Sequence, residues 1–101
     1  MEFCQGDIIK LSGFNNNFLI VSKNAFIKAA NVFHVCPVIE DYEAGPLHIV
    51  ISGKQRIHGT VICEQLKLID PHVRGCNIID RIPYDMMMNI SDAIQGIFEY
   101  M

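Results

Sequence analysis

Hydrophobic and polar residues alternate in short runs along most of this chain, which is the pattern of β-strands whose two faces differ. The clearest case is residues 59–74, GTVICEQLKLIDPHVR, where two apolar runs, 60–63 and 66–69, flank the polar pair Glu64–Gln65. Branching at Cβ favours extended backbone in both runs. The sequence therefore predicts two strands joined at a polar corner, where a sheet bends and one face can meet a ligand. An ordinary solvated turn explains the same residues.

Comparable runs predict further strands at residues 7–12, 18–22, 32–39, 47–51 and 76–82. Residues 13–17, GFNNN, form a tight connection between the first two strands, because glycine and asparagine tolerate positive φ. Residues 23–30 predict one or two helical turns. Pro37 lacks a backbone N–H and predicts an edge or a bulge at its end of the third strand.

The C-terminal segment changes period and predicts an amphipathic helix. Its apolar residues recur at spacings of three and four, at Met87, Ile90, Ile94, Ile97, Phe98 and Met101. Pro83 suits the first helical turn and Asp85 suits the positive end of the helix dipole.

The order of these elements predicts one domain over residues 1–101, mainly β with a C-terminal helix. Many short strands closed by a single amphipathic helix favour a small antiparallel barrel with the helix packed on it. The alternative is an open sheet of five or six strands with the helix on one face.

Composition narrows the class of protein. Half of the 101 residues are hydrophobic, which suffices for one core, and the formal charge of −3 argues against a broadly basic nucleic-acid binder. The apolar runs are too short to cross a membrane, and the start, MEFCQGD, lacks an apolar signal segment. We therefore expect a cytoplasmic protein that makes no membrane contact.

The four cysteines stand singly at positions 4, 36, 63 and 76, without a C-x-x-C pair. Free thiols are expected in the cytoplasm. The spacings His34-x-Cys36 and His72-x-x-x-Cys76 match no usual zinc knuckle, so the sequence predicts no metal site and no cofactor.

The order of motifs resembles the MazF/PemK family of toxins from toxin–antitoxin modules. The matching pieces are GDII, FLIVSKNAF, CPV, PLHIVISG and GTVICEQLKLID, followed by a proline-bearing turn and a terminal helix. The resemblance covers nearly the whole chain. It implies a small, partly open SH3-like β-barrel of the MazF/PemK/CcdB type, a homodimer, and an antitoxin peptide as partner. It also implies metal-independent cleavage of single-stranded RNA.

The family is expected to use an arginine before the second strand and a threonine after the third. This sequence departs at both places: Asn16 or Asn17 occupies the place of the arginine, and Ile39 that of the threonine. Asparagine carries no positive charge and transfers no proton at neutral pH. Glu64 and Gln65, which in relatives border the RNA groove, are retained.

Substitute groups are available elsewhere in the chain. The residues that could transfer protons are His34, His48 and His58, although a lone histidine is more often structural. Lys54 and Arg56, in the basic stretch 52–58, could contact phosphate at the rim. Arg74 matches an arginine common in relatives, which either faces phosphate or holds the barrel together.

Two functions therefore compete. The first is a toxin that still acts on RNA with a relocated or weakened site. The second is a catalytically inactive binding protein on the same scaffold, which binds antitoxin or RNA or inhibits DNA gyrase as CcdB-type toxins do. Phe98 and Tyr100 near the C-terminus would suit a gyrase contact if they are exposed.

Overall fold

The computed structural model describes residues 2–99, which form seven strands and two helices. The strands are β1 (Asp7–Leu11), β2 (Asn17–Ile20), β3 (Phe33–Ile39), β4 (His48–Ser52), β5 (His58–Ile62), β6 (Lys67–Ile69) and β7 (Cys76–Arg81). The helices are α1 (Asn24–Ala30) and α2 (Tyr84–Ile97). All strand pairs are antiparallel, in the order β4-β5-β3-β2-β1-β7, with β6 also paired to β3.

The strands β5 and β6 are two halves of one bent strand, because both pair with the same side of β3. Val61 lies opposite Val38, and Lys67 lies opposite Val35. The chain therefore advances six residues while β3 advances three, and three residues are surplus. The bend includes the predicted polar corner, Glu64–Gln65, together with Leu66, which the sequence assigned to the following strand.

The curved sheet carries an apolar cluster on each face. Cross-strand partners share a face and successive residues alternate, so the two clusters interleave along the central strands β1, β2 and β3. The face that we call the α2 face carries Leu19, Val38 and Val61, and Met87 and Ile90 of α2 pack against it. The opposite face, the α1 face, carries Phe18, Phe33, Val35 and Ile69, with Ile27 of α1 packed beside them.

The β4–β5 turn is fastened to the last strand by one buried carboxylate. Asp80 of β7 accepts hydrogen bonds from the backbone N–H groups of Gln55 (2.7 Å) and Ile57 (2.9 Å). Lys54 N–H donates to the Arg81 carbonyl at 2.9 Å. The sheet is not closed by strand pairing, but this contact brings its two ends together. The expected partly open barrel with a C-terminal helix is thereby confirmed.

A second buried carboxylate ties β1 to β7. Asp7 is 0% exposed. It accepts the Cys4 N–H at 2.8 Å and the Arg81 guanidinium Nε at 2.9 Å. The hydrogen bond that Arg81 donates to Asp7 raises the pKa of Arg81. The charge of Asp7 is therefore compensated where it is excluded from water.

Of the two alternatives predicted at Pro37, an edge or a bulge, the edge is wrong because β3 is central. Pro37 lies opposite Phe18 on one side and beside the three surplus residues of the bend on the other, where β3 needs no ladder donor. Two further expectations are corrected. Asn17 is the first residue of β2 rather than part of the turn. The buried face of α2 ends early, since Ile97 is 37% and Phe98 70% exposed. Met101 and Tyr100 lie outside the described residues.

Candidate functional site

The polar corner places Glu64 beside His48, the first residue of β4. The Nε2 atom of His48 lies 2.9 Å and 3.1 Å from the two carboxylate oxygens of Glu64. The side chains are partly exposed, 26% for His48 and 42% for Glu64. This hydrogen bond is the main reason that the pKa of Glu64 lies below its ordinary value. The pair therefore combines an ionised carboxylate with an imidazole at a solvent-accessible place.

The loop before β4 positions His48 from the other side. The ring of Tyr42 meets the imidazole edge-on, with centroids 5.1 Å apart. The Tyr42 carbonyl accepts a hydrogen bond from the Thr60 hydroxyl at 2.8 Å, which fixes the loop to β5. A shallow pocket of about 400 Å³ opens beside His48, lined by Asp41, Tyr42, Glu43 and Ala44. A ligand at this pocket would reach the imidazole.

Gln65 follows Glu64 at the corner and is exposed. Its backbone N–H donates to the Ile62 carbonyl at 3.1 Å, which closes the turn. The side chain is therefore free to meet a ligand beside the His48–Glu64 pair.

The basic stretch lies elsewhere. Lys54 and Arg56 belong to the β4–β5 turn, at the opposite end of β5 from the corner. Arg56 has φ +71°, and its carbonyl lies 3.3 Å from His58 Nδ1. The structure does not bring these residues together with Glu64.

His34 is held by its neighbours. Its Nδ1 lies within hydrogen-bond distance of the Ser22 hydroxyl oxygen (2.8 Å), and the same oxygen accepts the backbone N–H of His34 (2.6 Å). The ring also packs on Phe26, with centroids 5.3 Å apart. These contacts indicate a structural role for His34, which leaves His48 as the histidine at the corner.

Two residues that the sequence did not single out, Phe14 and Lys67, join Arg74 in a second cluster. Lys67 Nζ lies 5.3 Å and Arg74 Cζ 5.1 Å from the centroid of the Phe14 ring. Arg74 also donates to the Ser12 carbonyl at 3.0 Å. The sequence signal was weak: one aromatic residue in a short turn and one lysine just past the corner.

A larger cavity of about 780 Å³ lies away from the corner, next to α1. It is lined by Glu2, Phe3, Cys4, Asn24, Ala25, Ile27, Lys28, Asn31, Phe33, Pro71 and His72. Within residues 2–99, no group of three or more His, Cys, Asp or Glu side chains is placed to hold a metal ion. None of the helices in that range has the length and apolar content needed to cross a membrane.

Solved structures share this architecture over nearly the whole chain. A MazE–MazF complex from Deinococcus radiodurans superposes with a TM-score of 0.82 at 16% identity, covering 96% of each chain. The chain has the MazF fold. An endoribonuclease in complex with its cognate antitoxin, from a mycobacterial species, gives a TM-score of 0.81 at 14% identity, covering 99% of this chain and 100% of that one. No protein-family model matches the sequence, and no curated protein sequence matches it significantly.

On this MazF fold, the positions where the resemblance expects an arginine and a threonine do not form a reacting pair. Asn17 lies opposite Val38 and shares the α2 face, whereas Ile39, one residue further along β3, falls on the α1 face. The Asn17 side-chain oxygen is buried and accepts no hydrogen bond from residues 2–99. Asn16 is exposed in the β1–β2 turn. Neither asparagine supplies a positive charge.

Proposed function

We propose that this protein is the toxin-like component of a toxin–antitoxin module and a metal-independent endoribonuclease acting on single-stranded RNA, with His48 and Glu64 as its proton-transfer groups. The observation that carries the proposal is the His48–Glu64 hydrogen bond at the exposed corner of a MazF fold. The MazF fold is shared with an endoribonuclease from a mycobacterial species at a TM-score of 0.79 and 15% identity, covering 93% of this chain and 88% of that one.

The pair has the composition that RNA cleavage without a metal requires. The Glu64 carboxylate removes the proton from a ribose 2′-hydroxyl, whose oxygen attacks the adjacent phosphorus. The P–O5′ bond breaks, and the protonated imidazole of His48 gives its proton to the leaving 5′-oxygen. The products are a 2′,3′-cyclic phosphate and a 5′-hydroxyl. The proton on Glu64 then returns to His48 across their 2.9 Å hydrogen bond, which restores both groups.

The lowered pKa of Glu64 means that its carboxyl group is ionised at neutral pH. The hydrogen bond from His48, together with a backbone hydrogen bond, keeps the carboxyl group ionised below its ordinary value of 4.5. A general base must be ionised before it can accept a proton. His48 in turn is oriented by Glu64 on one edge and by the ring of Tyr42 on the other.

The protein is tested with mixed-sequence single-stranded RNA in the presence of EDTA, and new 5′-hydroxyl ends are mapped. Glu64→Gln and His48→Asn are expected to lower the cleavage rate about 10²- to 10⁴-fold, the usual contribution of a positioned acid or base. The matched control is His72→Asn, since His72 forms a similar exposed pair with Asp70 at 3.1 Å. That substitution should leave the rate unchanged.

Cleavage that survives both corner substitutions would reject the assignment of His48 and Glu64. The absence of cleavage at high protein concentration would reject the ribonuclease altogether. RNA binding without cleavage would then favour the inactive binding protein on the same scaffold.

The same proposal includes a homodimer and an antitoxin partner. The mycobacterial endoribonuclease is in complex with its cognate antitoxin, and the structural match covers 99% of this chain. Light scattering after size-exclusion chromatography tests the dimer. Co-purification with the protein encoded by an adjacent small acidic reading frame tests the antitoxin partner. A monomeric protein would contradict the dimer, and the absence of binding to that product would contradict the antitoxin.

A further inference from the structure

The cluster formed by Phe14, Lys67 and Arg74 concentrates positive charge around an aromatic ring. Both cations lie within 5.5 Å of the ring centroid, at 5.3 Å for Lys67 Nζ and 5.1 Å for Arg74 Cζ. Phe18 meets the same ring edge-on, with centroids 5.3 Å apart. Phe14 is therefore anchored from below and fixes the two charged groups near one another.

Both charges are available to a ligand. Within residues 2–99, no carboxylate lies within ion-pair distance of Lys67 or Arg74. Asp70, three residues from Lys67 and four from Arg74, is engaged with His72 through hydrogen bonds of 2.9 Å and 3.1 Å. Arg74 donates a hydrogen bond from one terminal nitrogen to the Ser12 carbonyl, and this contact does not engage the other nitrogens of the guanidinium.

The cluster shares the α1 face with the proposed proton-transfer pair. Lys67 lies opposite Val35, and Ile39 lies opposite Thr60 on the same face. His48 lies opposite Ile62, two residues after Thr60 and therefore on this face as well. Glu64 and Lys67 are three residues apart at the corner, so their Cα atoms are at most about 10 Å apart.

We propose that Phe14, Lys67 and Arg74 form a nucleotide-binding subsite for single-stranded RNA, in which Lys67 holds a phosphate and a base stacks on the Arg74 guanidinium and the Phe14 ring. Aromatic rings and guanidinium planes are the groups on which unpaired bases stack, while cations follow the backbone. This subsite rests on the proposed function for its ligand. It also places net positive charge near the scissile phosphate, whereas the charges of the ionised Glu64 carboxylate and the protonated His48 imidazole offset each other.

The subsite is tested by the binding of a fluorescent 2′-O-methyl RNA oligonucleotide, which lacks the attacking hydroxyl and reports affinity without cleavage. Lys67→Met should weaken binding about tenfold and reduce the steepness of log K against log salt by roughly 0.7, the value for one phosphate contact on a single strand. Lys54→Met removes the same charge at the far turn and should change neither quantity.

The stacking contribution is tested separately. Phe14→Leu keeps an apolar side chain and should weaken binding about fivefold or more, as expected when a base loses its stacking partner. Arg74→Lys keeps the positive charge but removes the planar guanidinium group, so the affinity for RNA should fall while its salt dependence stays unchanged. Thermal unfolding of each variant verifies that the fold is retained.

Equal effects of Lys67→Met and Lys54→Met would overturn the subsite, because binding would then follow net charge alone. An effect of Lys67→Met on the binding of an acidic peptide, without an effect on the binding of RNA, would also overturn the subsite. If cleavage depends on Glu64 but substitutions of Phe14, Lys67 and Arg74 leave the affinity for RNA unchanged, the subsite is rejected and the proposed function is retained. If the three residues govern affinity in a protein that does not cleave, the subsite stands and the proposed catalysis fails.

Discussion

Gly53 lies directly against the carboxylate of Asp80, so that a methyl group added at Gly53 would overlap the carboxylate atoms. This close approach lets the β4–β5 turn present the N–H groups of Gln55 and Ile57 to one buried acid. The absence of a side chain at position 53 is therefore a requirement of barrel closure.

Asp80→Asn should lower the free energy of unfolding by about 1.5–3 kcal/mol, because charge-assisted hydrogen bonds to buried backbone donors are weakened. Chemical denaturation provides the measurement. Asp92→Asn is the control, since Asp92 is exposed on α2 and its replacement should stay within about 0.5 kcal/mol. Equal stability of the two variants would show that Asp80 does not fasten the turn.

The same carboxylate predicts how stability depends on pH. Burial opposes ionisation of Asp80, but hydrogen bonds from Gln55 and other backbone donors outweigh it, so the pKa lies below its ordinary value of 3.8. A depressed folded-state pKa contributes stability that is complete above the unfolded value and is lost as pH falls through the folded value. The difference between wild type and Asp80→Asn should thus be constant near neutral pH and shrink below 3.8. Melting temperatures measured across this range provide the check; a difference that widens on acidification would contradict it.

Arg81→Met should destabilise the fold by about 2–3 kcal/mol, because Asp7 would remain buried without its cation. Repeating the substitution in an Asp7→Asn background is the matched control. There the cost should be smaller, since no buried charge is left uncompensated. Identical costs in both backgrounds would assign the effect to packing of the Arg81 side chain.

The thiols should divide into two classes when the native protein is treated with a thiol-specific dye at pH 8. Burial, together with the nearby Cys63 thiol and Glu64, raises the pKa of Cys36 to about 12, and burial raises that of Cys63 to about 11. Both side chains are 0% exposed, so they should react only after unfolding. Cys4 and Cys76 are partly exposed and should account for the labelling of the folded protein. Fast labelling of four thiols without denaturant would contradict this division.

Alternation of polar and apolar residues sufficed to predict the strands and the helix, because each is local to its own segment. The end of α2 was misjudged because periodicity alone does not show how far the sheet extends beneath the helix. Phe98 continues the apolar spacing but lies past the last residue of the helix and past the core. The sequence could not decide between an edge and a bulge at Pro37, because the surplus residues beside it belong to the strands that pair with β3.

The candidate site was only half visible in the sequence. Glu64 and Gln65 were identified from their position between two apolar runs. The partner of Glu64 is a histidine on the preceding hairpin strand, and the partner of Phe14 is a lysine far along the chain. Such pairings depend on register across strands, and no pattern within one segment reports register.

The three surplus residues at the bend between β5 and β6 are separated from the pairing that holds the sheet together. Because β3 is paired on either side of the bend, substitutions or length changes there leave the hydrogen-bonded framework intact. Substitutions at the bend can therefore change what the protein binds without changing its fold. Directed libraries confined to that bend would therefore sample new binding specificities on an unchanged barrel.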